Sequence, residues 1–382
     1  MPPARVVVQK YGGSSVADVV RIQQVARRVV ETARGGDGVV VVVSAMGNTT
    51  NELLALARQV SPRPGRRELD LLVSVGERVS MTLLAMAIED LGVPAQSFTG
   101  SQSGIVTDDQ HVSATVVEVR PARVRRALDE GKVVIVAGFQ GVSRSGEVTT
   151  LGRGGSDTTA VVLTAALGAA WGEICSDVDG VYSADPRVVP DAARLDQIPL
   201  DAALAMARGG SKVLLADALE HARRVGITLH AAATDRPPGS GTRLPPGPAP
   251  EEVVAVAADD QLLWLSLDPA VELGALPPAI QSWWSMAGET QVLVDLRNLH
   301  GALSWPAGVT DRGRVATVCA VGRQLVVDPR VAARARAAVA EVAPILGWWA
   351  AGETWTAVIP RERAGVAQQA LHKALVSPGR IA

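Results

Sequence analysis

The 382-residue chain is short of several residue types. It has two cysteines, two tyrosines and two phenylalanines. Cys175 and Cys319 lie in separate strand-like runs, so neither a disulfide framework nor a metal site is expected. No apolar run reaches the roughly 18 residues of a membrane-spanning helix. Val6–Val8 is too short for the apolar region of a signal peptide, and no Ala-x-Ala-like site follows it. Neither sign of charge is in excess: 37 basic and 39 acidic residues give a formal net charge of −2. That balance removes any compositional case for nucleic acid or an anionic membrane as a partner. A cytoplasmic enzyme is the expectation. Lysine is the most telling scarcity, with four (Lys10, Lys132, Lys212, Lys373) against 33 arginines. A lysine retained against that bias points to a compact ammonium that grips a phosphate as a point charge. Lys132 and Lys373 are read as ordinary surface residues, which leaves Lys10 and Lys212.

What the chain does have is ample length for two or three domains and an ordinary globular balance, 47% hydrophobic and 20% charged. Over the first 235 residues, short β-rich runs alternate with helical apolar spacing. The runs are Val6–Gln9, Val39–Ser44, Val133–Phe139, Glu173–Asp177 and Ile227–His230. The helical stretches are Val16–Ala33, Asn51–Val60, Val75–Leu91 and Thr158–Leu167. This alternation predicts an α/β domain, a mainly parallel sheet covered on both faces, over 1–235. Arg236–Pro250 holds six prolines and three glycines and marks a linker. Beyond it, over 251–382, the composition changes: seven of the eight tryptophans follow residue 260. WWSMAGETQVLV, starting at Trp283, is echoed by WWAAGETWTAVI, which starts 65 residues later at Trp348. Two small α+β units, about 251–312 and 313–382, account for the echo.

Five stretches of the first domain carry chemistry. KYGGSS, Lys10–Ser15, follows the first strand and opens a helix, so Gly12 and Gly13 let backbone N–H groups approach an anion beside Lys10. SAMGNTTNEL, Ser44–Leu53, sets hydroxyls including Ser44 and Thr50 at the end of the second strand, where open α/β sheets bind ligands. Glu77 in VGERVS is either a partner for the helix dipole or a carboxylate for a cationic ligand group. LGRGGSDTTA, Leu151–Ala160, offers the Arg153 fork for a carboxylate, the bare backbone of Gly154 and Gly155, and Ser156 with Asp157 at a helix start. Asp157 is an N-cap, or else a carboxylate that holds Lys10 and Lys212 in place while they receive charge from a transferring phosphoryl group. In SDVDGVYSADPR, Ser176–Arg187, the reading is a surface loop or a nucleotide loop with Tyr182 at the base or ribose and Arg187 at the phosphates.

Together these stretches resemble the aspartate kinases of the amino-acid kinase superfamily. The likeness covers about Val6–Leu244 and rests on nine motifs in family order. They are KYGGSS, SAMGNTTNEL, VGERVS, SFTGSQSG, VAGFQGV, VTTLGRGGSDTTA, EICSDVDGVYSADPR, GGSKVL and PGSGTRL. The resemblance implies a three-layer amino-acid kinase sandwich with tandem C-terminal ACT-like domains. It implies transfer of the ATP γ-phosphate to the β-carboxylate of L-aspartate, with Mg2+ arriving on the nucleotide and no protein metal ligands. By the same analogy Arg153 clamps the α-carboxylate, Glu77 with Thr50 takes the α-amino side, and Gly154, Gly155 and Ser156 line the acceptor. Lys10, Asp157 and Lys212 handle the transferring charge. Gly12, Gly13, Ser44, Ser176, Asp177, Tyr182 and Arg187 hold Mg-ATP together with the two lysines.

The chain departs from the family in two places. Leu229–Thr234 reads LHAAAT where a basic strand is expected, which predicts a change of packing. The ACT signature, an acidic residue followed by x-Pro-Gly and later Asn-Ile, is missing: the matching stretches are SLDPAVELGALPPAI and AVGRQLVVDPRVAARA. The expectation is an enzyme without lysine or threonine feedback, dimeric or tetrameric through its C-terminal domains. No methionine lies between Met206 and Met286 to start a separate regulatory subunit, which favours a homo-oligomer. The alternatives are the same chemistry on a modified aspartate, or a non-catalytic amino-acid-sensing subunit.

Overall fold

The computed structural model describes residues 3, 5–276, 279–286, 288–298 and 305–376. The chain forms two compact units. The first comprises Met1–Val181, Leu195–Ala203 and Val213–Pro248; the second comprises Tyr182–Arg194, Leu204–Lys212 and Ala249–Ala382. The second unit therefore takes two segments from within the first 235 residues.

The first half of the chain runs β1 (Val6–Tyr11), α1 (Val19–Arg34), β2 (Gly38–Val43), α2 (Thr49–Val60), α3 (Arg66–Val73), α4 (Val75–Asp90), β3 (Ala95–Phe98), β4 (Ile105–Thr107) and β5 (Val116–Val119). It continues with α5 (Ala122–Asp129), β6 (Val133–Ala137), β7 (Gln140–Ser143), β8 (Val148–Thr150), α6 (Gly155–Leu167) and β9 (Trp171–Ser176). After these come α7 (Leu200–Arg208), α8 (Ala216–Val225), β10 (Leu229–Ala233) and β11 (Thr242–Leu244). A seven-stranded sheet has the order β11-β10-β9-β1-β2-β6-β3 and is parallel except at β11. The unbroken GVVVVV of β2 and VVIVA of β6 are buried along their whole length. Strands covered on both faces carry that pattern, because neither face meets water. β1 has β2 on one side and β9 on the other, so successive connections diverge there, where open sheets bind ligands. The proline-rich stretch is built into the fold, since β11 lies within it and pairs antiparallel with β10.

Helix starts shift from the expected ones for local reasons. The first helix begins at Val19, after a 3-10 turn, because Asp18 accepts the Arg21 N–H at 2.9 Å and caps it. The helix expected from Thr158 begins at Gly155, because Gly154 adopts the left-handed conformation at its N-cap (φ 74°). A separate four-stranded sheet, β5-β4-β7-β8, carries the segment that leads into that turn. The span Arg66–Asp90 has the length and apolarity of a membrane-crossing helix. It carries buried Asp70 and Glu77, and Leu84 and Ile88 sit in the core with β2 and β6 residues, so it is a core element of this domain.

The second unit contains β12 (Ala255–Leu267), β13 (Ile280–Met286), β14 (Glu289–Asp295), β15 (Val309–Val321), α9 (Gln324–Val327), α10 (Pro329–Ala340), β16 (Gly347–Ala351), β17 (Thr354–Pro360) and α11 (Ala364–Leu375). Its antiparallel sheet has the order β13-β14-β12-β15-β17-β16, with the long central strands β12 and β15 paired. The two WW–AGET copies form the outer hairpins, β13–β14 and β16–β17, at equivalent places in the two halves. Ala287 of the first copy lies outside the described residues. Trp284 of one edge strand stacks on Trp349 of the other at 5.5 Å, so the sheet curls until its edges meet around Leu262, Leu293, Val315 and Val358. The halves are unequal. α10 and α11 cover the second, whereas the described residues of the first hold only 3-10 turns between strands, at Leu273–Ala275 and Leu296–Asn298.

Candidate active site

The Gly-rich turns converge at the carboxyl ends of β1, β2 and β6. Ser44 N donates to Tyr11 O at 3.1 Å, Gly47 N to Gly13 O at 3.1 Å, and Gly138 N to Val43 O at 3.0 Å. A Cβ on Gly13 would stand 3.0 Å from Ala45 O, and one on Gly12 would stand 3.5 Å from Lys10 Nζ. Glycine keeps the space in front of the ammonium open. Lys10, at the end of β1, places Nζ 2.6 Å from Asp157 Oδ1 in the first turn of α6, with both side chains about nine-tenths buried. The approach is oblique, so Asp157 Oδ1 has an ion pair without a well-directed hydrogen bond. Asp157 lies inside the helix and is not its N-cap; that place belongs to Gly154.

Two arms flank this pair. Arg153 is exposed in the turn between β8 and α6, directly before Gly154 and Gly155. Glu77 lies in the first turn of α4 and is buried, 3% exposed. One of its oxygens accepts the Ala45 N–H at 3.1 Å, and the other is buried with no partner. Burial pushes the Glu77 carboxyl up to about 7, against opposing hydrogen bonds from its own backbone N–H and from that of Ala45. An orphaned carboxylate oxygen beside the SAMG turn is the environment in which a cationic ligand group is most strongly drawn. Ser156 is buried, with its Oγ against Gly138, and Thr50 is half-buried at the start of α2.

Ser176 and Asp177 belong to the first unit, whereas Tyr182, Arg187 and Lys212 belong to the second. Ser176 Oγ accepts the Val178 N–H at 3.1 Å, and its carbonyl accepts Thr234 Oγ1 at 3.0 Å. Thr234 in turn meets Ser15 Oγ at 2.7 Å, so the LHAAAT strand ends in a hydroxyl bridge between two site turns. Upstream in that strand, His230 stacks on Trp171 at 5.5 Å. Arg187 is held by Asp185 through two side-chain bonds, at 3.0 and 2.8 Å. Lys212 is exposed at the end of the Gly209-Gly210 turn.

Sequence reasoning missed Asp70. It is fully buried in α3 and accepts Thr150 Oγ1 at 2.6 Å and Val112 N at 3.0 Å, with His111 Nδ1 at 2.7 Å. Val112 and Phe139 are the non-glycine residues with positive φ, 75° and 68°, among the described residues. Both abut the Arg153 turn: Val112 O beside Gly152, and Phe139 against Gly155. Strained backbone of this kind persists where surrounding contacts over-determine it, typically around a functional turn. In the sequence a lone aspartate in RRELDLLV carries no such signal.

Residues 5–232 match the amino acid kinase family. The chain belongs to that family. Within it, aspartokinase from Mycolicibacterium smegmatis is 58% identical over 234 residues, which is 60% of this chain and 56% of the relative. The chain thus spans about half the length of the curated relatives it matches. Among solved structures, E. coli aspartokinase III in complex with aspartate and ADP aligns with a TM-score of 0.82 at 26% identity, over 97% of this chain and 100% of that one. Aspartate kinase from Synechocystis is 33% identical over 98% of this chain and 70% of its own, with a TM-score of 0.57. The likeness to E. coli aspartokinase III extends through the curled C-terminal sheet, which fits ACT-like units in this amino acid kinase.

Proposed function

We propose that the chain is an ATP-dependent aspartate kinase that converts L-aspartate to 4-phospho-L-aspartate. The observation that carries this reading is the buried Lys10–Asp157 pair at the end of β1 and the start of α6, with an open glycine cradle in front of the ammonium. The E. coli relative, solved with aspartate and ADP, supports it.

The acceptor needs no general base, since a carboxylate is already a nucleophile. One of its β-oxygens forms the new bond to the γ-phosphorus as the bond to the ADP oxygen breaks, and the electron pair leaves with ADP. The chain's contribution is to position the reactants and stabilise charge. Arg153 forks the α-carboxylate, and Glu77 with Thr50 receives the α-ammonium. Gly154, Gly155 and Ser156 border the acceptor. Lys10, oriented by Asp157, meets the growing negative charge on the transferred group, with backbone donors from Gly12 and Gly13. Ser44, Ser176, Asp177, Tyr182, Arg187 and Lys212 hold the nucleotide. Mg2+ neutralises phosphate charge when it arrives with ATP.

The missing acidic-x-Pro-Gly and Asn-Ile elements support activity without lysine or threonine control, in a homo-oligomer. A ligand shifts an equilibrium only by binding two states differently. A hydroxamate assay with ATP and a panel of amino acids, including aspartate analogues, tests the reading. Aspartate is expected to give product at a rate unchanged by millimolar lysine, threonine or both. Absence of hydroxamate with aspartate would overturn the activity, and strong inhibition by either amino acid would overturn the proposed loss of control.

A further inference from the structure

The C-terminal unit keeps a full sheet and two long helices although its effector signature is gone. Its contacts indicate another reason for its presence. The segment Tyr182–Arg194, which carries Tyr182 and Arg187, is gripped by α11 and β12. Ser183 is fully buried, and its Oγ lies 2.9 Å from His372 Nε2 on α11 while accepting the Ala193 N–H at 3.0 Å. Gln369, also on α11, donates to Val188 O at 2.6 Å. The loop's backbone is tied to the sheet as well, since Val256 N donates to Ser183 O at 2.7 Å. Buried Gln368 donates to Val256 O at 3.2 Å and fixes α11 to that same strand.

The segment Leu204–Lys212, which carries Lys212, is seated on the same sheet. A Cβ on Gly209 would stand 3.1 Å from Cys319 Cβ, and one on Gly210 would collide with Ala258 O at 2.3 Å. Glycines here let the turn lie directly on β12 and β15. Lys212 is close enough to Asp185 and Asp260 to help hold both carboxyls below the usual range. The larger causes are the Arg187 bond to Asp185 and the Gln261 bond to Asp260.

We propose that the C-terminal unit is the scaffold of the nucleotide-handling segments, with His372 and Gln369 of α11 as positioning residues for the Tyr182–Arg187 loop. This inference rests on the reading that Tyr182, Arg187 and Lys212 hold the nucleotide. It gives the second ACT-like half, whose helices are complete, a task in the catalytic cycle that needs no effector. The contacts to the nucleotide loop come from α11 and from the central strand, whereas the described residues of the first half hold only 3-10 turns between their strands.

The test uses the full chain with His372→Ala, His372→Gln and Gln369→Ala. It reads KM for ATP, KM for aspartate, calorimetric ADP binding and the thermal midpoint. Gln places a polar atom near the position of imidazole Nε2, so it keeps a partner for Ser183. His372→Ala is expected to raise KM for ATP and weaken ADP binding roughly tenfold, the size of one buried hydrogen bond left unmatched. KM for aspartate should stay unchanged, and His372→Gln should restore most of the loss. Gln369→Ala should move KM for ATP in the same direction by a smaller factor. Unchanged ADP binding in both His372→Ala and Gln369→Ala would overturn the inference. So would equal rises in both KM values with a lowered melting point and no rescue by Gln. If His372→Ala does not fold, Gln369→Ala alone decides by the same criterion. The underlying reading is tested separately: Arg187→Ala and Lys212→Ala that bind ADP normally would remove these residues from the nucleotide site, whatever α11 does.

Discussion

Glu77 makes the candidate site testable without any substrate. Its carboxyl is buried, one oxygen accepts the Ala45 N–H and the other has no partner. Burial moves it from the ordinary 4.5 to about 7. The fold therefore favours the protonated form. The corresponding stability is fully present below about pH 4.5 and is lost as pH rises through about 7. At pH 8 nearly the whole shift is felt, and at pH 5 only a minor part. With 1.36 kcal/mol per pH unit, the ligand-free protein should lose about 2–3 kcal/mol between these values through Glu77. Glu77→Gln removes the titration and keeps the shape. Its amide brings a pH-independent cost of its own, so the informative quantity is the change with pH in the difference between variant and parent. In thermal unfolding of both proteins at pH 5 and pH 8, the variant should gain on the parent by about 5 °C or more across the interval, at a few degrees per kcal/mol. Saturating aspartate should narrow the gap at pH 8, because its ammonium would supply the missing partner. Parallel pH profiles for the two proteins would refute the reasoning and show that water or an unseen donor satisfies Glu77.

Three further outcomes are expected. Arg153→Ala should weaken aspartate on the order of a hundredfold while changing ATP far less, as loss of a bidentate charge-assisted pair requires; equal losses for both substrates in steady-state kinetics would reassign the residue. Lys10→Ala and Asp157→Ala should each cut turnover by orders of magnitude at unchanged melting temperature, and near-normal turnover in either would mean the phosphate site is misplaced. Asp70→Asn keeps the volume but weakens the hold on Val112 and Thr150, so KM for aspartate should rise several-fold with KM for ATP unmoved. Identical kinetics to the parent would show that the Arg153 turn holds its shape without Asp70.

The central strands β2 and β6 were legible in the sequence because they are short continuous apolar runs, the pattern of strands covered on both faces. The glycine turns at Lys10–Ser15 and Leu151–Ala160 were legible for a similar reason: a backbone that must approach an anion excludes side chains, and that exclusion is written in residue type. The WW–AGET echo was read as two small units, and its copies form the outer hairpins of the C-terminal sheet. Tertiary structure alone decided the rest. The direct ion pair between Lys10 and Asp157, far apart in the chain, depends on the end of β1 lying beside the start of α6. The carboxyls of Glu77 and Asp70 look like ordinary surface charges until packing buries them, and burial is what gives each its energetic weight. The small sheet β5-β4-β7-β8 has strands of three or four residues, too brief for any periodicity to show. Most of all, the sequence places Tyr182, Arg187 and Lys212 among the kinase motifs, whereas their segments pack with the C-terminal sheet. Sequence order records which residues are neighbours along the chain; only burial and long-range hydrogen bonds decide which body each segment belongs to.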